Sequence, residues 1–322
     1  MFSSTRMIFS VSAALALASM SSVLAVPVST NGATSLVSRA TIPSPAFVVY
    51  SDKFVSADVL PPAAQVAGFN VVALSFLTLN GAADQAKAFA DLAADARSAK
   101  KAEYTQAGIS LIVSAFGETD TPTTSGADPV GTANTMAQFV LTNGLDGIDV
   151  DYEDLAAMNK GDGAAEAWVT TFTQTLRKTL PQGQFILSHA PLAPWLSPNA
   201  QFAAGAYLTV NKNVGSLIDW YNIQFYNQNE YTDCTSLITT SGPPFAGSSL
   251  LEIAANGVDL NKLVIGKPGS AADATNGFID PATLGTCVDQ AKAKGWAGGI
   301  MAFQFPEADA TWIKAAKGTS FQ

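Results

Sequence analysis

The sequence predicts an α/β protein that folds as a single-domain (β/α)8 TIM barrel. Eight short apolar runs alternate with eight longer segments of helical character, over about 275 residues, which is the element count and length of this barrel. No linker, repeat or shift in composition divides the alternation. Since such barrels place their active sites at the carboxyl ends of the strands, polar residues there are the candidates for function.

The eight predicted strands are rich in Val, Ile, Leu and Phe and are bounded by polar or glycine-containing segments. They cover residues 47–52, 71–79, 109–117, 144–154, 185–191, 220–227, 263–268 and 299–305. The helical segments between and after them cover residues 57–67, 84–106, 131–142, 163–180, 200–217, 247–257, 281–294 and 309–317. The clearest start and stop signals belong to the fourth helix, which begins after Gly163 and ends at Pro181.

The amino-terminal residues have the pattern of a secretory signal peptide. Arg6 precedes an apolar run that ends near Val26, and Val23-Leu24-Ala25 matches the cleavage pattern of a signal peptide, so we expect a signal peptide of residues 1–25. Residues 26–45 contain Ser, Thr, Gly and Pro and predict a propeptide or flexible lead-in before a catalytic barrel of residues 46–322. A secreted, extracellular protein with no membrane anchor is expected.

Composition narrows the range of partners. Of the 322 residues, 48% are hydrophobic and 13% are charged, and the formal net charge is -9. A negative surface disfavours nucleic acids and anionic membranes, whereas a neutral sugar meets no electrostatic penalty. No nucleic-acid or membrane partner is therefore expected, and we expect a monomer.

Two cysteines, Cys234 and Cys287, lie in a chain predicted to reach an oxidising compartment, which favours a disulfide over two buried thiols. The single histidine, His189, rules out a metal site built from several His ligands. It also leaves any Ser-His-Asp triad dependent on that one residue. No metal and no cofactor are expected.

The most distinctive stretch is the fourth predicted strand, residues 144–154, which has the sequence Gly-Leu-Asp-Gly-Ile-Asp-Val-Asp-Tyr-Glu-Asp. Alternation along a strand places Asp149, Asp151 and Glu153 on one face, with neighbouring members roughly 6.6 to 6.8 Å apart. Carboxylates this close couple their ionisations, so at least one should have a raised pKa. A carboxyl that stays protonated near neutral pH can act as a proton donor.

Two other interpretations of this stretch are weaker. A solvated acidic strand would lie at an exposed edge, but Leu145, Ile148 and Val150 make this strand apolar. A calcium-binding loop that starts at Asp149 needs Gly at its sixth position and Glu at its twelfth, where this chain has Asp154 and Lys160.

The pattern Asp-Gly-x-Asp-x-Asp-x-Glu resembles the signature of glycoside hydrolase family 18, the chitinases and endo-β-N-acetylglucosaminidases. The resemblance is closest to secreted fungal endo-β-N-acetylglucosaminidases, through this stretch, Leu-Ile-Val-Ser-Ala-Phe-Gly and His-Ala-Pro-x-Ala-Pro-Trp. It implies substrate-assisted catalysis, in which the acetamide of the substrate attacks its own anomeric carbon. By position, Glu153 is implied as general acid and base. Asp151 is implied to orient the acetamide, and Asp149 to tune Asp151 from below.

The sixth predicted strand extends the resemblance through Gln-Phe-Tyr-Asn at residues 224–227. Tyr226 is implied to contact the acetamide carbonyl and Gln224 to help hold it. A core aromatic at the rim is the alternative for Tyr226. Further substrate-binding candidates lie at or just after the ends of strands, where aromatic and polar groups suit a sugar; they are Tyr50, Phe76, His189, Trp195, Asn227 and Phe303. A structural role for His189 is equally consistent with the sequence.

Two positions depart from the family pattern. The third predicted strand has Phe116 where the family often has Gly, and Phe303 stands where chitinases usually have the Trp that forms a subsite floor. The resemblance implies an endo-β-N-acetylglucosaminidase that cleaves the core of N-glycans of oligomannose type, either on glycoproteins or as free oligosaccharides. A chitinase with the same mechanism is the alternative. An inactive sugar-binding barrel is more remote, because such relatives typically lose the acid that Glu153 supplies.

Overall fold

The computed structural model describes residues 42–52 and 60–322. The predicted signal peptide of residues 1–25, most of the lead-in of residues 26–45 and the start of the predicted 57–67 helix lie outside these ranges. No helix within the two ranges is long and apolar enough to cross a bilayer.

Eight parallel strands form a closed barrel, which confirms the predicted fold class. Each strand pairs with its neighbours along the chain and the first pairs with the last, with a short antiparallel β3 added beside β2. The strands are β1 (Ala46–Ser51), β2 (Val71–Thr78), β3 (Gly81–Ala82), β4 (Ser110–Phe116), β5 (Gly147–Asp151), β6 (Ile186–His189), β7 (Trp220–Gln224), β8 (Leu263–Pro268) and β9 (Gly299–Phe303). All eight predicted strands are present, and most end one to three residues earlier than predicted.

Helices pack around the outside of the barrel. In the described residues they are α1 (Asp84–Ala90), α2 (Ala94–Gln106), α3 (Pro129–Asn143), α4 (Leu155–Lys160), α5 (Ala164–Thr179), α6 (Ala206–Val214), α7 (Cys234–Ile238), α8 (Leu250–Ala255), α9 (Pro281–Ala293) and α10 (Ala310–Ala316). The short helices α4 and α7 were not expected. Both follow an aspartate whose side chain caps the first turn.

Three helix predictions are corrected. The predicted 84–106 helix is two helices, because Arg97 Nη1 donates to the carbonyls of Ala90 and Leu92 and so satisfies the end of α1 without glycine or proline. Within the described part of the predicted 57–67 segment only a single 3-10 turn forms, Ala63–Val66, directly after Pro62. The predicted 200–217 helix begins only after Gly205, which has a left-handed φ of 91°.

The barrel interior changes character along its axis. One cluster of buried apolar side chains, including Val48, Ala73, Ile112 and Val264, fills the interior, while a larger cluster lies between strands and helices. Toward the carboxyl ends the interior positions are polar, as Ser114, Asp149 and Ser188 illustrate. Strand alternation explains both the apolar and the polar part of the interior. The polar residues share the inward face of their strands with apolar residues that lie nearer the amino ends.

The predicted disulfide is confirmed. Cys234 in α7 and Cys287 in α9 are bonded, with their Cα atoms 4.9 Å apart, and Cys287 is fully buried. The bond ties the loop that follows β7 to the helix that follows β8. It therefore braces the carboxyl-terminal face of the barrel, where the candidate site lies.

Candidate active site

Strand β5 carries the acidic motif into the centre of the barrel. A side chain at Gly147 is excluded, because its Cβ would lie 2.1 Å from the carbonyl oxygen of Ile186 in β6. This close pairing starts the register that places Asp149 and then Asp151 on the inward face. Glu153 follows two residues after the strand ends, so it stands at the floor of the cavity rather than inside the barrel.

Asp149 is fully buried and accepts four hydrogen bonds. Its Oδ2 accepts from the Tyr50 hydroxyl at 2.6 Å and from Ser114 Oγ at 2.9 Å, and its Oδ1 accepts from Ser188 Oγ at 2.6 Å and from Asn222 Nδ2 at 3.1 Å. Burial raises the pKa of Asp149, and the donated hydrogen bonds act in the opposite direction. The carboxyl is thus held rigidly by groups from four different strands.

Asp151 lies one pleat above Asp149 and is also buried. Gln224 Nε2 donates to Asp151 Oδ1 at 3.0 Å and to the carbonyl of Ala190 at 3.0 Å, which fixes the amide between two strands. Burial raises the pKa of Asp151 well above its usual value, and the carboxylates of Glu153 and Asp149 raise it further.

Glu153 is half-buried and is hydrogen-bonded to both Asp151 and Gln224. Burial raises the pKa of Glu153 to about 7; the two hydrogen bonds lower it, and the negative charge of Glu118 raises it. Two carboxyls that hydrogen-bond to each other must share at least one proton. The pair can therefore deliver a proton to a basic oxygen and take one back, the two halves of general acid and base catalysis.

A cavity of about 330 Å³ opens above these carboxyls. Its size is at the lower end of the range of about 300 to 1,000 Å³ typical of small-molecule sites. Four aromatic side chains line it and offer faces to a sugar ring: Tyr50, Phe76, Tyr226 and Phe303. The described lining residues include no Lys, Arg or His. Six carboxylic side chains also line the cavity: Asp52, Asp84, Glu118, Asp151, Glu153 and Asp273. The cavity suits a neutral ligand with apolar faces and many hydroxyl groups.

A model of the glycosyl hydrolases family 18 matches residues 46–303, most of the described chain. The chain belongs to glycosyl hydrolase family 18. The family assignment confirms the coarser part of the prediction, an enzyme class that acts on carbohydrates.

Known proteins similar to this chain include chitinases and an endoglycosidase. Endochitinase 3 of Metarhizium robertsii is 30% identical over 149 residues, a match that spans 46% of this chain and 39% of that protein. A family 18 chitinase from Pseudoalteromonas aurantia has a similar structure, with a TM-score of 0.69 and 29% identity over 84% of this chain and 99% of that chain. A fungal endo-β-N-acetylglucosaminidase of family 18 shares the fold, with a TM-score of 0.60 and 17% identity over 84% of this chain and 96% of that chain.

The structure brings most of the predicted site residues together. The cavity is lined by eight of the eleven: Tyr50, Phe76, Asp151, Glu153, Gln224, Tyr226, Asn227 and Phe303. Asp149 lies directly beneath them. The motif of family 18 and the aromatic strand ends thus converge on one site, although Tyr50 and Phe303 are 253 residues apart in sequence.

His189 and Trp195 are not part of the cavity, which corrects the expectation that they contact substrate. Since Ser188 points into the barrel, its neighbour His189 points outward, where Thr173 Oγ1 and the Tyr207 hydroxyl lie 3.3 and 3.2 Å from its ring nitrogens. Burial lowers the pKa of His189 to about 3, so the ring is neutral. Trp195 is 1% exposed and stacks on Tyr207 with ring centroids 5.9 Å apart. Both residues stabilise the outer core.

Asn227 reaches the cavity rim but has a partner of its own. Its backbone is left-handed, with a φ of 68°, and its Oδ1 accepts from the backbone nitrogen of Thr275 at 2.8 Å. The residue therefore fastens the loop after β7 to the loop after β8. Asp273, in that second loop, also lines the cavity and was missed, because it follows no motif or strand pattern that marks it in the sequence.

The loop after β4, residues 119–128, forms a fixed wall beside the motif. Asp154 is fully buried and accepts from both the backbone nitrogen and the hydroxyl of Thr124, at 2.7 and 2.6 Å. The hydroxyls of Tyr152 and Thr123 are 2.8 Å apart. The residues on either side of Glu153 thus hold this loop, which explains their polarity without any catalytic role.

In the described residues no group of three or more His, Cys, Asp or Glu side chains has the arrangement of a metal site.

Proposed function

We propose that this protein hydrolyses the β-1,4 bond between two N-acetylglucosamine (GlcNAc) residues with retention, by substrate-assisted catalysis. The observation that carries this proposal is the hydrogen-bonded pair of Asp151 and Glu153 beneath a cavity that also contains Gln224 and Tyr226. Two carboxyls in direct contact cannot flank a scissile bond at the separation of about 5 Å that an enzyme nucleophile requires. In the proposed mechanism the acetamide of the substrate supplies the nucleophile instead.

The first step is assigned as follows. Protonated Glu153 donates its proton to the glycosidic oxygen as the bond to the anomeric carbon breaks. The acetamide carbonyl oxygen attacks the anomeric carbon from the opposite face and forms an oxazolinium ion. Asp151, positioned by Gln224, accepts a hydrogen bond from the acetamide nitrogen and stabilises its positive charge, while the Tyr226 hydroxyl holds the carbonyl end.

The second step reverses the proton transfer. Ionised Glu153 takes a proton from a water molecule, and the water oxygen forms a bond to the anomeric carbon as the bond to the acetamide oxygen breaks. The acetamide is restored, Glu153 is protonated again, and the product keeps the β configuration. Asp149 supports Asp151 throughout, because its four hydrogen bonds fix it below the site.

For the substrate, we infer the chitobiose core of N-glycans, cleaved by a secreted enzyme. Phe303 supports this choice, since the end of β9 offers a smaller aromatic face than the Trp that chitinases usually have there. The Cys234–Cys287 disulfide is consistent with secretion. A chitinase is the second candidate, favoured by the names of the Metarhizium and Pseudoalteromonas relatives.

Parallel incubations with an oligomannose glycoprotein and with chitin oligosaccharides, read by mass spectrometry, distinguish the candidates. Protein left with a single GlcNAc on each site supports the endoglycosidase, and shortened oligosaccharides with intact glycoprotein support the chitinase. Glu153→Gln serves as the inactive control in both mixtures. No product from either substrate, with retained sugar binding, would contradict hydrolysis and favour a sugar-binding barrel.

A further inference from the structure

Strand β8 contains a lysine with no exposed surface. Lys267 is 0% exposed, and its Nζ donates to three backbone carbonyls, those of Phe225 at 2.7 Å, Tyr231 at 2.6 Å and Gly277 at 2.8 Å. An ammonium group has three protons, and all three are used. A buried cation is costly unless it is fully hydrogen-bonded, so this arrangement is a built site for the ammonium form.

The three carbonyls belong to two loops at the mouth of the barrel. Phe225 and Tyr231 lie in the loop after β7, and Gly277 lies in the loop after β8. Asn227 adds a second connection between these loops, since its backbone nitrogen donates to the carbonyl of Asn276 at 3.1 Å. Tyr226 therefore sits between two anchored neighbours, one held by Lys267 and one held by the opposite loop.

The loop after β8 also packs directly on the backbone of Tyr226. A Cβ added at Gly277, which has a φ of 90°, would lie 2.7 Å from the Cα of Tyr226. The two chains are thus as close as a residue without a side chain allows. Any movement of the Gly277 segment must be transmitted to Tyr226.

Lys267 carries its full charge at acidic pH. Burial lowers its pKa to about 7, and the carboxylate of Asp233 partly offsets this effect. Below that pH the ammonium holds both loops. Loss of the side chain would leave three buried carbonyls without this donor and would remove one of the connections between the two loops.

We propose that Lys267 is a positioning residue for the hydrolysis, which acts by holding the loops after β7 and β8 together and so fixes Tyr226 against the acetamide of the substrate. This proposal rests on the proposed function, in which Tyr226 holds the acetamide carbonyl. Lys267 touches no reacting atom. Its effect on the rate passes through Tyr226.

A double-mutant cycle with Lys267→Met and Tyr226→Phe tests this pathway, with kcat and KM measured well below the pKa of Lys267. Tyr226→Phe should lower kcat by about 10²-fold, as expected for loss of one donor to a developing charge. Lys267→Met should lower kcat at least about tenfold in the parent enzyme, but less than about twofold in the Tyr226→Phe background, because residues that act as a unit are not additive.

Arg177 provides a matched control at the other end of the barrel. It is a buried cation that also donates to backbone carbonyls, those of Leu217 and Phe185, and it pairs with Asp219 at 2.9 Å. Its partners precede strands β6 and β7 and lie far from the cavity. Arg177→Met should lower the melting temperature without lowering kcat at a temperature where the variant is folded.

Gly277→Ala and Asn227→Ala repeat the test if Lys267→Met does not fold. Each disturbs the same loop pair while keeping the Lys267 side chain, and each should lose its effect on kcat in the Tyr226→Phe background. Additive losses in kcat, or a parental kcat in Lys267→Met, would overturn the positioning role. If Tyr226→Phe alone leaves kcat unchanged, the role of Tyr226 in the proposed function is wrong, which is a separate outcome.

Discussion

The protonation of Glu153 makes a quantitative prediction about activity and pH. The pKa of this carboxyl is raised to about 7, chiefly by burial, and the protonated form is the one that delivers a proton. Activity is therefore present below about pH 7 and is lost as pH rises through the pKa. Each further unit of pH removes about nine tenths of the remaining protonated enzyme, so kcat/KM should fall about tenfold per unit.

A substitution at Glu118 tests the cause of the alkaline limb of the pH profile, the fall in activity as pH rises through the pKa of Glu153. Its negative charge raises the pKa of Glu153 from across the cavity, so Glu118→Gln should move the alkaline limb to lower pH. Asp259→Asn is a suitable control, because Asp259 is exposed and precedes β8 at the opposite face of the barrel. The assay is kcat/KM across the pH range, since this ratio reports the free enzyme.

The leaving group separates acid catalysis from other effects of pH. A substrate with a sugar leaving group needs the proton from Glu153, whereas an activated aryl glycoside needs little protonation. Glu153→Gln should lose at least about 10²-fold on the sugar substrate and much less on the aryl substrate. Residual activity above about one percent on the sugar substrate, or the same alkaline limb for both substrates, would refute the role of Glu153.

Three further predictions concern structure. Replacement of both Cys234 and Cys287 by Ala should lower the free energy of unfolding by about 4 kcal/mol, because the bond spans 53 residues, and denaturant titration measures the change. Trp195→Ala should lower the free energy of unfolding by about 3 to 5 kcal/mol, while KM for a short oligosaccharide stays unchanged. A raised KM would instead indicate that Trp195 contacts the substrate. Gly147→Ala should abolish soluble expression, since its methyl group would lie 2.1 Å from the Ile186 carbonyl oxygen, and a folded, active variant would contradict that geometry.

The barrel could be predicted from the sequence because its determinants are local and repeated. Each strand is a short apolar run, and Ser114, Asp149 and Ser188 occupy equivalent inward positions in three of these runs. Helix bounds were less predictable. The break between α1 and α2 depends on hydrogen bonds from Arg97 to the carbonyls of Ala90 and Leu92. No glycine or proline marks this break in the sequence.

The site residues within strands could be placed from the periodicity of the sequence, whereas those beyond the strand ends could not. Where a residue lies within a strand, alternation determines its face: Asp149 and Asp151 follow this rule, and the same rule applied to His189 gives the outward face, because Ser188 points inward. Beyond a strand end no periodicity applies, so the sequence pattern could not show that Trp195 turns into the outer core.

Glu153 also lies beyond its strand, yet it reaches the cavity because the chain around it is held on both sides. Asp151 and Gln224 bind its carboxyl, while buried Asp154 anchors the next turn to the loop after β4. Tyr226 is in the same position after β7, and there the anchoring comes from Lys267 and the loop after β8. The groups assigned to proton transfer and acetamide binding are thus set by buried polar contacts, and it is these contacts, rather than the periodicity of the strands, that determine the geometry of the site.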